Sequence, residues 1–154
     1  MSTRLGKLLK EKGQYITCAE SCTGGWIAKT ITDIAGSSGW FERGFVTYSN
    51  QAKSAMLGVR PSTLEQHGAV SAPVVHEMAL GALAAASADY AVAVSGIAGP
   101  DGGTLEKPVG TVWFGWATRQ GVIARHQLFT GDRDAIRAAS VIFALNLLLD
   151  GTRQ

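Results

Sequence analysis

Two side chains that can act as nucleophiles, Ser21 and Cys22, stand next to each other in the stretch Ala19-Glu20-Ser21-Cys22-Thr23-Gly24-Gly25. A short apolar run precedes this stretch, and a helical pattern from Trp26 to Ile34 follows it. A loop between a strand and a helix leaves backbone N–H groups unpaired, and these groups can hold an anion or the oxyanion of an acyl-transfer reaction. The alternative is that Ser21 or Thr23 only caps the helix while the glycines make the turn.

A second stretch of small residues, Ser95-Gly96-Ile97-Ala98-Gly99-Pro100-Asp101-Gly102-Gly103, follows the apolar run from Tyr90 to Val94. Two such loops after two apolar strands indicate one shared cleft at the carboxyl edge of a sheet, where open α/β folds usually bind ligands. Neither loop is a nucleotide fingerprint. The chain has no Gly-x-Gly spacing, and neither loop continues into the Gly-Lys-Ser/Thr that a P-loop needs.

Five segments taken together, in the order in which they occur, resemble the C-terminal domain of the competence/damage-inducible CinA family. They are Ala19 to Gly25, Val46-Thr47-Tyr48-Ser49-Asn50 with Lys53, Gly68-Ala69-Val70-Ser71, Ser95 to Pro100, and Lys107-Pro108-Val109-Gly110-Thr111-Val112. The resemblance covers nearly the whole chain, from about residue 15 to Asp150. It implies a nicotinamide-nucleotide amidohydrolase, which converts nicotinamide mononucleotide and water to nicotinate mononucleotide and ammonia and needs no cofactor.

Hydrolysis of a carboxamide needs a nucleophile, a proton acceptor, and hydrogen-bond donors aimed at the carbonyl oxygen as it becomes anionic. The resemblance favours Ser21 as the nucleophile. Cys22 is the alternative, because a helix terminus would stabilise its thiolate. The N–H groups of Cys22, Thr23 or Gly24 are candidate donors to the oxyanion. Glu20 either orients this loop or the base, or lies in water at the end of its strand.

The proton acceptor is predicted to be Lys53 or Tyr48, since no histidine is obviously placed for this role. The two residues are five apart, at the end of a strand and the start of the next helix, and both could face Ser21. A lysine with the usual pKa of about 10.4 is neutral in about one molecule in 2,500 at pH 7, so a base needs a pKa near 7 to 8. The residues alone favour Lys53 as a solvated lysine on a helix surface, whereas the family resemblance favours it as the base.

The phosphate of the implied substrate needs an anion site of its own. The backbone N–H groups from Gly96 to Gly99 are candidates, together with Arg133 or Arg137 at the start of the last helix. Either arginine could instead pair with Asp132 or Asp134. The complete predicted substrate-binding set is Glu20, Cys22, Thr23, Gly24, Gly25, Ser95, Gly96, Ile97, Ala98, Gly99 and Arg133.

The composition predicts one globular domain over residues 1–154, since 46% of the residues are hydrophobic and 17% are charged. A net charge of +2 without a long Lys/Arg cluster argues against a nucleic-acid partner. Cys18 and Cys22 without an apolar leader predict a reduced, cytoplasmic setting, with Cys18 buried in a sheet face. His76-Glu77 begins like a zinc-protease helix, but Leu80 stands where the second histidine would be, so no metal site is predicted.

Alternating apolar patterns predict a three-layer α/β/α sandwich with a mixed sheet of about five strands. The predicted strands are 15–20, 40–48, 90–95, 111–118 and 122–129, the last two forming an antiparallel hairpin. The predicted helices are 2–13, 24–35, 50–57, 61–67, a helix capped by Ser71 that runs to Ala86, and 132–149, which stops at Gly151.

The last predicted helix is apolar on most of its surface, so more than one side of it must be covered. This pattern predicts a homo-oligomer, with a dimer favoured. Asp132, Arg133, Asp134, Arg137 and Asn146 interrupt the helix too often for a membrane span. Beside the amidohydrolase, two other hypotheses remain: a non-catalytic module that binds or senses a nucleotide in the same cleft, and a structural domain whose glycines serve only turns.

Overall fold

The sheet is mixed and carries helices on both faces, as the sequence predicts. The computed structural model describes residues 2–153. Its strands are β1 (Ile16–Glu20), β2 (Phe45–Val46), β3 (Tyr90–Gly96), β4 (Thr111–Thr118) and β5 (Gly121–Leu128). Their spatial order is β2-β1-β3-β4-β5; the first three run parallel, and β4 and β5 each run antiparallel to the strand before. The predicted three-layer fold is therefore confirmed.

Within residues 2–153, six α-helices form the two outer layers around this sheet. They are α1 (Ser2–Lys12), α2 (Trp26–Thr32), α3 (Asn50–Leu57), α4 (Pro61–His67), α5 (Ala72–Ala86) and α6 (Arg133–Thr152). One hydrophobic cluster joins α1, α2 and α6 to one face of the sheet, and a second cluster joins α3, α4 and α5 to the other face. The functional residues lie where the helix layers meet the carboxyl ends of the parallel strands.

The two faces of the central strand β3 differ in side-chain size. Val92 and Val94 belong to the cluster under α2 and α6, whereas Ala91 and Ala93 face α5. Successive side chains of a strand point to opposite faces, so this alternation sets the spacing of each layer. The alanine side lets α5 approach closely. At Gly115 of β4 an added Cβ would lie 2.3 Å from the carbonyl oxygen of Val75 in α5.

The strand predicted over 40–48 is wrong in extent, since only Phe45–Val46 pairs with β1 as a regular strand. A 3-10 turn at Ser37–Gly39 precedes it, and Phe41 makes only an isolated bridge to Ile16. Aromatic residues in this region are typical of a strand, but most of it is irregular in the structure.

Three predicted helix boundaries also need correction. The helix predicted over 24–35 is α2, which begins at Trp26 because Gly24 and Gly25 adopt left-handed φ angles of 61° and 104°. The predicted cap Ser71 precedes α5 but makes no side-chain cap; its hydroxyl donates to the carbonyl of Gly68 instead. The last helix does not stop at Gly151.

Helix α6 continues to Thr152 because Gly151 packs directly against the ring of Trp116, where an added Cβ would lie 2.0 Å from a ring carbon. Among residues 2–153, α6 is the one helix that is long and apolar enough to cross a membrane by length and composition. Most of its apolar residues pack into the domain, and eight residues of this helix are buried, whereas Ile142 is exposed. The core helix of a soluble protein passes the same test, so this finding is weak evidence of a span.

Candidate active site

Ser21 and Ser95 stand next to each other at the carboxyl edge of the sheet. Strands β1 and β3 are parallel, with Glu20 opposite Val94, and the N–H of Ser21 donates to the carbonyl of Val94 at 3.1 Å. The side chains of Glu20 and Val94 point towards α2 and α6. Because side chains alternate along a strand, both serines project towards the layer of α3 and α5.

A cavity of about 320 Å³ opens at this edge. Predicted site residues line most of it: Ser21, Cys22, Tyr48, Lys53, Ser95, Gly96, Ile97, Ala98, Gly99 and Arg133. Four predicted residues, Glu20, Thr23, Gly24 and Gly25, do not line the cavity. The cavity is not the largest surface depression of the domain, but it is the one that gathers the chemically competent side chains.

Lys53 is almost completely buried, with 1% of its surface exposed, and its amine touches the predicted nucleophile. The Nζ atom lies 3.0 Å from the Oγ of Ser21. It also donates to the carbonyl oxygens of Thr47 at 3.1 Å and Tyr48 at 3.4 Å. No carboxylate among residues 2–153 forms an ion pair with this amine. The solvated lysine that the residues alone favoured is therefore wrong.

Burial lowers the pKa of Lys53 from its ordinary value, because the buried ammonium loses its water. The Nζ atom thus donates to three acceptors, the carbonyls of Thr47 and Tyr48 and the Oγ of Ser21. A neutral amine has two N–H donors and one lone pair. If the ammonium loses the proton that faces Ser21, the two carbonyls can keep the remaining donors, and the lone pair then faces the hydroxyl as a general base requires.

Tyr48 is placed differently from Lys53, at the mouth of the cavity. Its side chain is 61% exposed, and its hydroxyl accepts a hydrogen bond from the guanidinium of Arg133 at 3.1 Å. The same guanidinium donates to the carbonyl of Gly99 at 2.8 Å. Arg133 thus bridges the loop after β2 and the loop after β3. No hydrogen bond joins the Tyr48 hydroxyl to Ser21 within residues 2–153.

The backbone of the nucleophile loop, Ser21 to Gly25, has three N–H groups to spare within residues 2–153. The N–H of Gly24, a predicted oxyanion donor, is already used, since it donates to the carbonyl of Ser21 at 3.0 Å. Within the same described residues, the N–H groups of Cys22, Thr23 and Gly25 donate to no acceptor. Those of Cys22 and Thr23 are the nearest to Ser21 along the chain, so these two groups are the candidate donors to an oxyanion.

Arg137 of α6 holds this loop from behind, a contact that the sequence did not indicate. Its Nε donates to the carbonyl of Cys22 at 3.0 Å, and its second terminal nitrogen donates to the carbonyl of Thr23 at 3.2 Å. In a planar trans peptide the N–H points opposite to the carbonyl. Anchoring the Cys22 carbonyl on the α6 side therefore directs the N–H of Thr23 away from α6.

Glu20 holds the other side of the loop and is fully buried, so the prediction that it lies in water is wrong. Its carboxylate accepts hydrogen bonds from the Thr23 hydroxyl at 2.6 Å, from the N–H of Ile27 at 2.8 Å and from the N–H of Ala28 at 3.0 Å. The carboxylate, and not a serine, therefore caps α2. The alternative in which Glu20 orients the nucleophile loop fits these contacts.

Replacing Glu20 by glutamine is expected to lower the free energy of unfolding by about 2 kcal/mol, because an amide nitrogen would then face N–H donors in a buried site. Urea denaturation at pH 7 measures this change. The matched control is Glu65→Gln on the exposed surface of α4, for which a change below about 0.5 kcal/mol is expected. Equal stability of the Glu20→Gln variant and the wild type would contradict the capping role.

The two cysteines are both buried thiols. Burial raises the pKa of Cys22 to about 11, so the thiolate expected from the nearby helix terminus does not form at neutral pH. Cys18 is fully buried as predicted, and burial together with the Glu20 carboxylate raises its pKa well above the ordinary value. Because burial keeps both thiols protonated, Ser21 is the better candidate nucleophile. Among the described residues, no cluster of three or more His, Cys, Asp or Glu is placed to bind a metal ion.

Sequence reasoning missed five residues that line the cavity: Asn50, Ala69, Val70, Asp101 and Gly102. Asn50, Ala69 and Val70 belong to segments that carry the family resemblance, which is the signal that could have identified them. A long-range contact holds the segment that contains Ala69 and Val70 near the loop after β3. The Nζ of Lys107 donates to the carbonyl of His67 at 2.8 Å, which ties the loop after β3 to the loop before α5.

Comparison with known proteins gives one consistent result for the sequence. A family model described as the CinA C-terminal domain matches residues 1–151. The chain is 66% identical over 149 residues to the nicotinamide-nucleotide amidohydrolase PncC of Escherichia coli strain K12, covering 96% of this chain and 90% of that protein. It is 53% identical over 149 residues to the protein of the same name from Pseudomonas putida, with 97% and 93% covered.

Comparison with solved structures indicates the same family. A competence/damage-inducible protein from Agrobacterium tumefaciens superposes with a TM-score of 0.96 at 46% identity, covering 99% of this chain and 93% of that chain. A CinA superfamily protein from Klebsiella pneumoniae superposes with a TM-score of 0.94 at 42% identity, covering 99% and 95%. These matches span the loops that build the cavity as well as the sheet beneath them. The chain belongs to the CinA C-terminal domain family.

Proposed function

We propose that this protein hydrolyses the carboxamide of nicotinamide mononucleotide to give nicotinate mononucleotide and ammonia. The observation that carries the proposal is the contact of 3.0 Å between the Nζ of Lys53 and the Oγ of Ser21 in the wall of the cavity. The similarity to relatives named nicotinamide-nucleotide amidohydrolase supports the choice of substrate.

In the first half of the reaction, the neutral amine of Lys53 takes the hydroxyl proton of Ser21 while the Oγ attacks the carboxamide carbon. The electron pair of the C=O bond moves to oxygen, and the N–H groups of Cys22 and Thr23 hold the resulting oxyanion. As the intermediate collapses, the C–N bond breaks and the Lys53 ammonium gives its proton to the departing nitrogen. Ammonia leaves, and an ester on Ser21 remains.

In the second half, a water molecule replaces ammonia. Lys53, neutral again, takes a proton from the water as its oxygen attacks the ester carbon. The ester bond to Ser21 breaks, and Lys53 returns the proton to the serine oxygen. The balance is one carboxamide and one water consumed, and one carboxylic acid and one ammonia released. We assign the proton transfers to Lys53 because the hydroxyl of Tyr48 is bonded to Arg133 and not to Ser21.

Arg133 is assigned to the phosphate of the substrate, with the backbone N–H groups of Ala98 and Gly99 as further donors. The N–H of Ile97, which the sequence also suggested, is already bonded to the carbonyl of Thr111 at 2.9 Å. Replacing Arg133 by methionine is expected to raise KM for nicotinamide mononucleotide about tenfold to a hundredfold, since a charge-assisted contact is lost. Steady-state kinetics with nicotinamide riboside, which lacks the phosphate, provide the check: its KM stays the same. Arg4→Met, on the exposed side of α1, is the matched control. Equal losses for both substrates would rule out the assignment.

The test of the function itself is ammonia release by the purified wild type. Nicotinamide mononucleotide, nicotinamide riboside and nicotinamide are compared in a coupled ammonia assay. Steady turnover of the mononucleotide is expected, with much less for the two compounds that lack phosphate. A protein that binds the mononucleotide, as seen by a rise in melting temperature, but releases no ammonia would instead be a non-catalytic binding module.

The proposal includes a single domain over residues 1–154, a cytoplasmic setting, and a homodimer. A groove of about 350 Å³ lies between β5 and α6, with an apolar floor and with Arg125 and Asp150 on its rim. A second copy related by a two-fold axis can pair these opposite charges. The exposed Ile142 of α6 extends the apolar surface. Sedimentation at a mass of 16.2 kDa would rule out the dimer.

A further inference from the structure

We propose that Ser95 recognises the amide nitrogen of the substrate and so determines that the enzyme acts on carboxamides. This inference rests on the proposed hydrolase function and deepens it. It assigns Ser95 to the reacting group, whereas the sequence placed this residue in a loop for the phosphate.

The position of Ser95 follows from the strand register. Glu20 pairs with Val94 at the end of the parallel β1–β3 ladder. Ser21 follows Glu20, and its N–H extends the ladder to the carbonyl of Val94, while Ser95 follows Val94 within β3. Neighbouring strands lie about 4.8 Å apart, so the two serines are immediate neighbours on the same face. The amine of Lys53 lies on the β2 side of Ser21, where it donates to the carbonyls of Thr47 and Tyr48. Ser95 lies on the β3 side. The nucleophile is therefore flanked by an amine and a hydroxyl.

The hydroxyl of Ser95 has no partner in the protein. Only 1% of the residue's surface is exposed, it lines the cavity, and within residues 2–153 its Oγ makes no hydrogen bond. Three nearby buried hydroxyls are paired: those of Thr17, Thr23 and Thr111 bond to the Arg43 carbonyl, the Glu20 carboxylate and the Pro108 carbonyl. The hydroxyl of Thr47 is fully buried without a partner in the part of the chain that the structure describes, whereas that of Ser95 belongs to a residue that lines the cavity. Because Ser95 lines the cavity and its Oγ has no partner among the described residues, this oxygen is available to a polar group of a ligand bound there.

A primary carboxamide supplies the missing partner. Its nitrogen carries two N–H donors, and the Oγ of Ser95 can accept one of them. When Ser21 adds to the carbon, the nitrogen becomes pyramidal and gains a lone pair that must receive the proton of Lys53. An N–H held by Ser95 on the β3 side turns that lone pair towards Lys53 on the β2 side. The C–N bond then breaks with its electron pair on nitrogen, and ammonia leaves.

The experiment compares an amide with an ester in the wild type and in Ser95→Ala. The substrates are nicotinamide mononucleotide and the ethyl ester of nicotinate mononucleotide, whose leaving group has no N–H. Loss of one hydrogen bond to the reacting group is expected to lower kcat for the amide about tenfold to a hundredfold. The kcat for the ester stays within about twofold, which is the scatter expected without a lost contact.

A merely structural role would lower both rates equally, and that result would overturn the proposal, as would an unchanged amide rate. Ser95→Thr keeps the hydroxyl and should restore the wild-type ratio of amide to ester rates. If Ser95→Ala does not fold, Ser95→Cys, with similar volume and a weak acceptor, must show the same fall in that ratio. A wild type that releases no ammonia from the amide refutes the hydrolase function itself, a result distinct from failure of the Ser95 assignment.

Discussion

Replacing Ser21 by alanine is expected to lower kcat for ammonia release from nicotinamide mononucleotide by about 10⁴-fold or more, as for other nucleophiles that act as one unit with their base. The reason is that the Oγ of Ser21 is the hydroxyl bonded to the Lys53 amine. Its removal leaves the N–H groups of Cys22 and Thr23 and the cavity walls in place. Coupled measurement of ammonia under saturating substrate gives kcat directly.

Binding should survive this change. The substrate is expected to raise the melting temperature of the Ser21→Ala variant as much as that of the wild type, because the groups assigned to the phosphate are untouched. Ser62→Ala, an exposed serine of α4, is the matched control and should retain full activity. Ammonia release by Ser21→Ala within tenfold of the wild-type rate would refute the serine mechanism and redirect attention to an attacking water.

Replacing Lys53 by methionine is expected to lower kcat about 10³-fold to 10⁴-fold, because the proton of Ser21 then has no acceptor. Methionine keeps the length of the buried stem. Lys53→Arg should not restore activity, since a guanidinium does not lose its proton at any usable pH. In the wild type, kcat/KM is expected to rise with pH through an apparent pKa below the ordinary lysine value of 10.5. A pH profile without that rising limb would exclude Lys53 as the base.

Lys53 also links stability to pH. Burial lowers its pKa in the folded protein, so below that folded pKa the wild type bears the full penalty of a buried ammonium. The penalty disappears as pH rises from the folded pKa to the unfolded value of 10.5. Relative to the Lys53→Met variant, the wild type should therefore gain stability over this window. Urea titrations at several pH values measure the difference, and Lys10→Met on the exposed side of α1 is the control. A difference independent of pH would contradict the linkage.

The parallel core of the fold could be predicted because its signals are local. Strands β1 and β3 are short apolar runs that end in stretches of small residues, and the pattern of α5 shows a face rich in alanine. The two-residue strand β2 could not be predicted in this way. Trp40, Phe41 and Phe45 have the composition of a long strand, but their positions depend on packing. Close approach at Gly44, where an added Cβ would meet the Sγ of Cys18 at 2.9 Å, is a tertiary contact that propensity does not record.

The same difference between local signals and tertiary contacts applies to the candidate site. The candidate nucleophile loop and the two candidate bases, Lys53 and Tyr48, could be named from the short segments that carry the family resemblance, and the structure brings Lys53 to Ser21. The residues that hold that loop in place could not be predicted. Arg137 contacts Cys22 across 115 positions of the chain, and Glu20 reaches forward to the N–H groups of α2 only because β1 ends beneath that helix. Either contact depends on the three-dimensional arrangement of layers, for which a single sequence offers no periodic signal.

Arg133 and Arg137 lie one helical turn apart on α6, but they bind different parts of the site. Arg133 donates hydrogen bonds to Tyr48 and Gly99 at the mouth of the cavity, and Arg137 donates to the backbone of the nucleophile loop. Because both arginines belong to one helix, a tilt of α6 would move the mouth of the cavity and this loop together. The middle of this helix bears Ile142 on its outer side. A protein that binds against that side would therefore act mechanically on the mouth of the cavity and on the candidate nucleophile together.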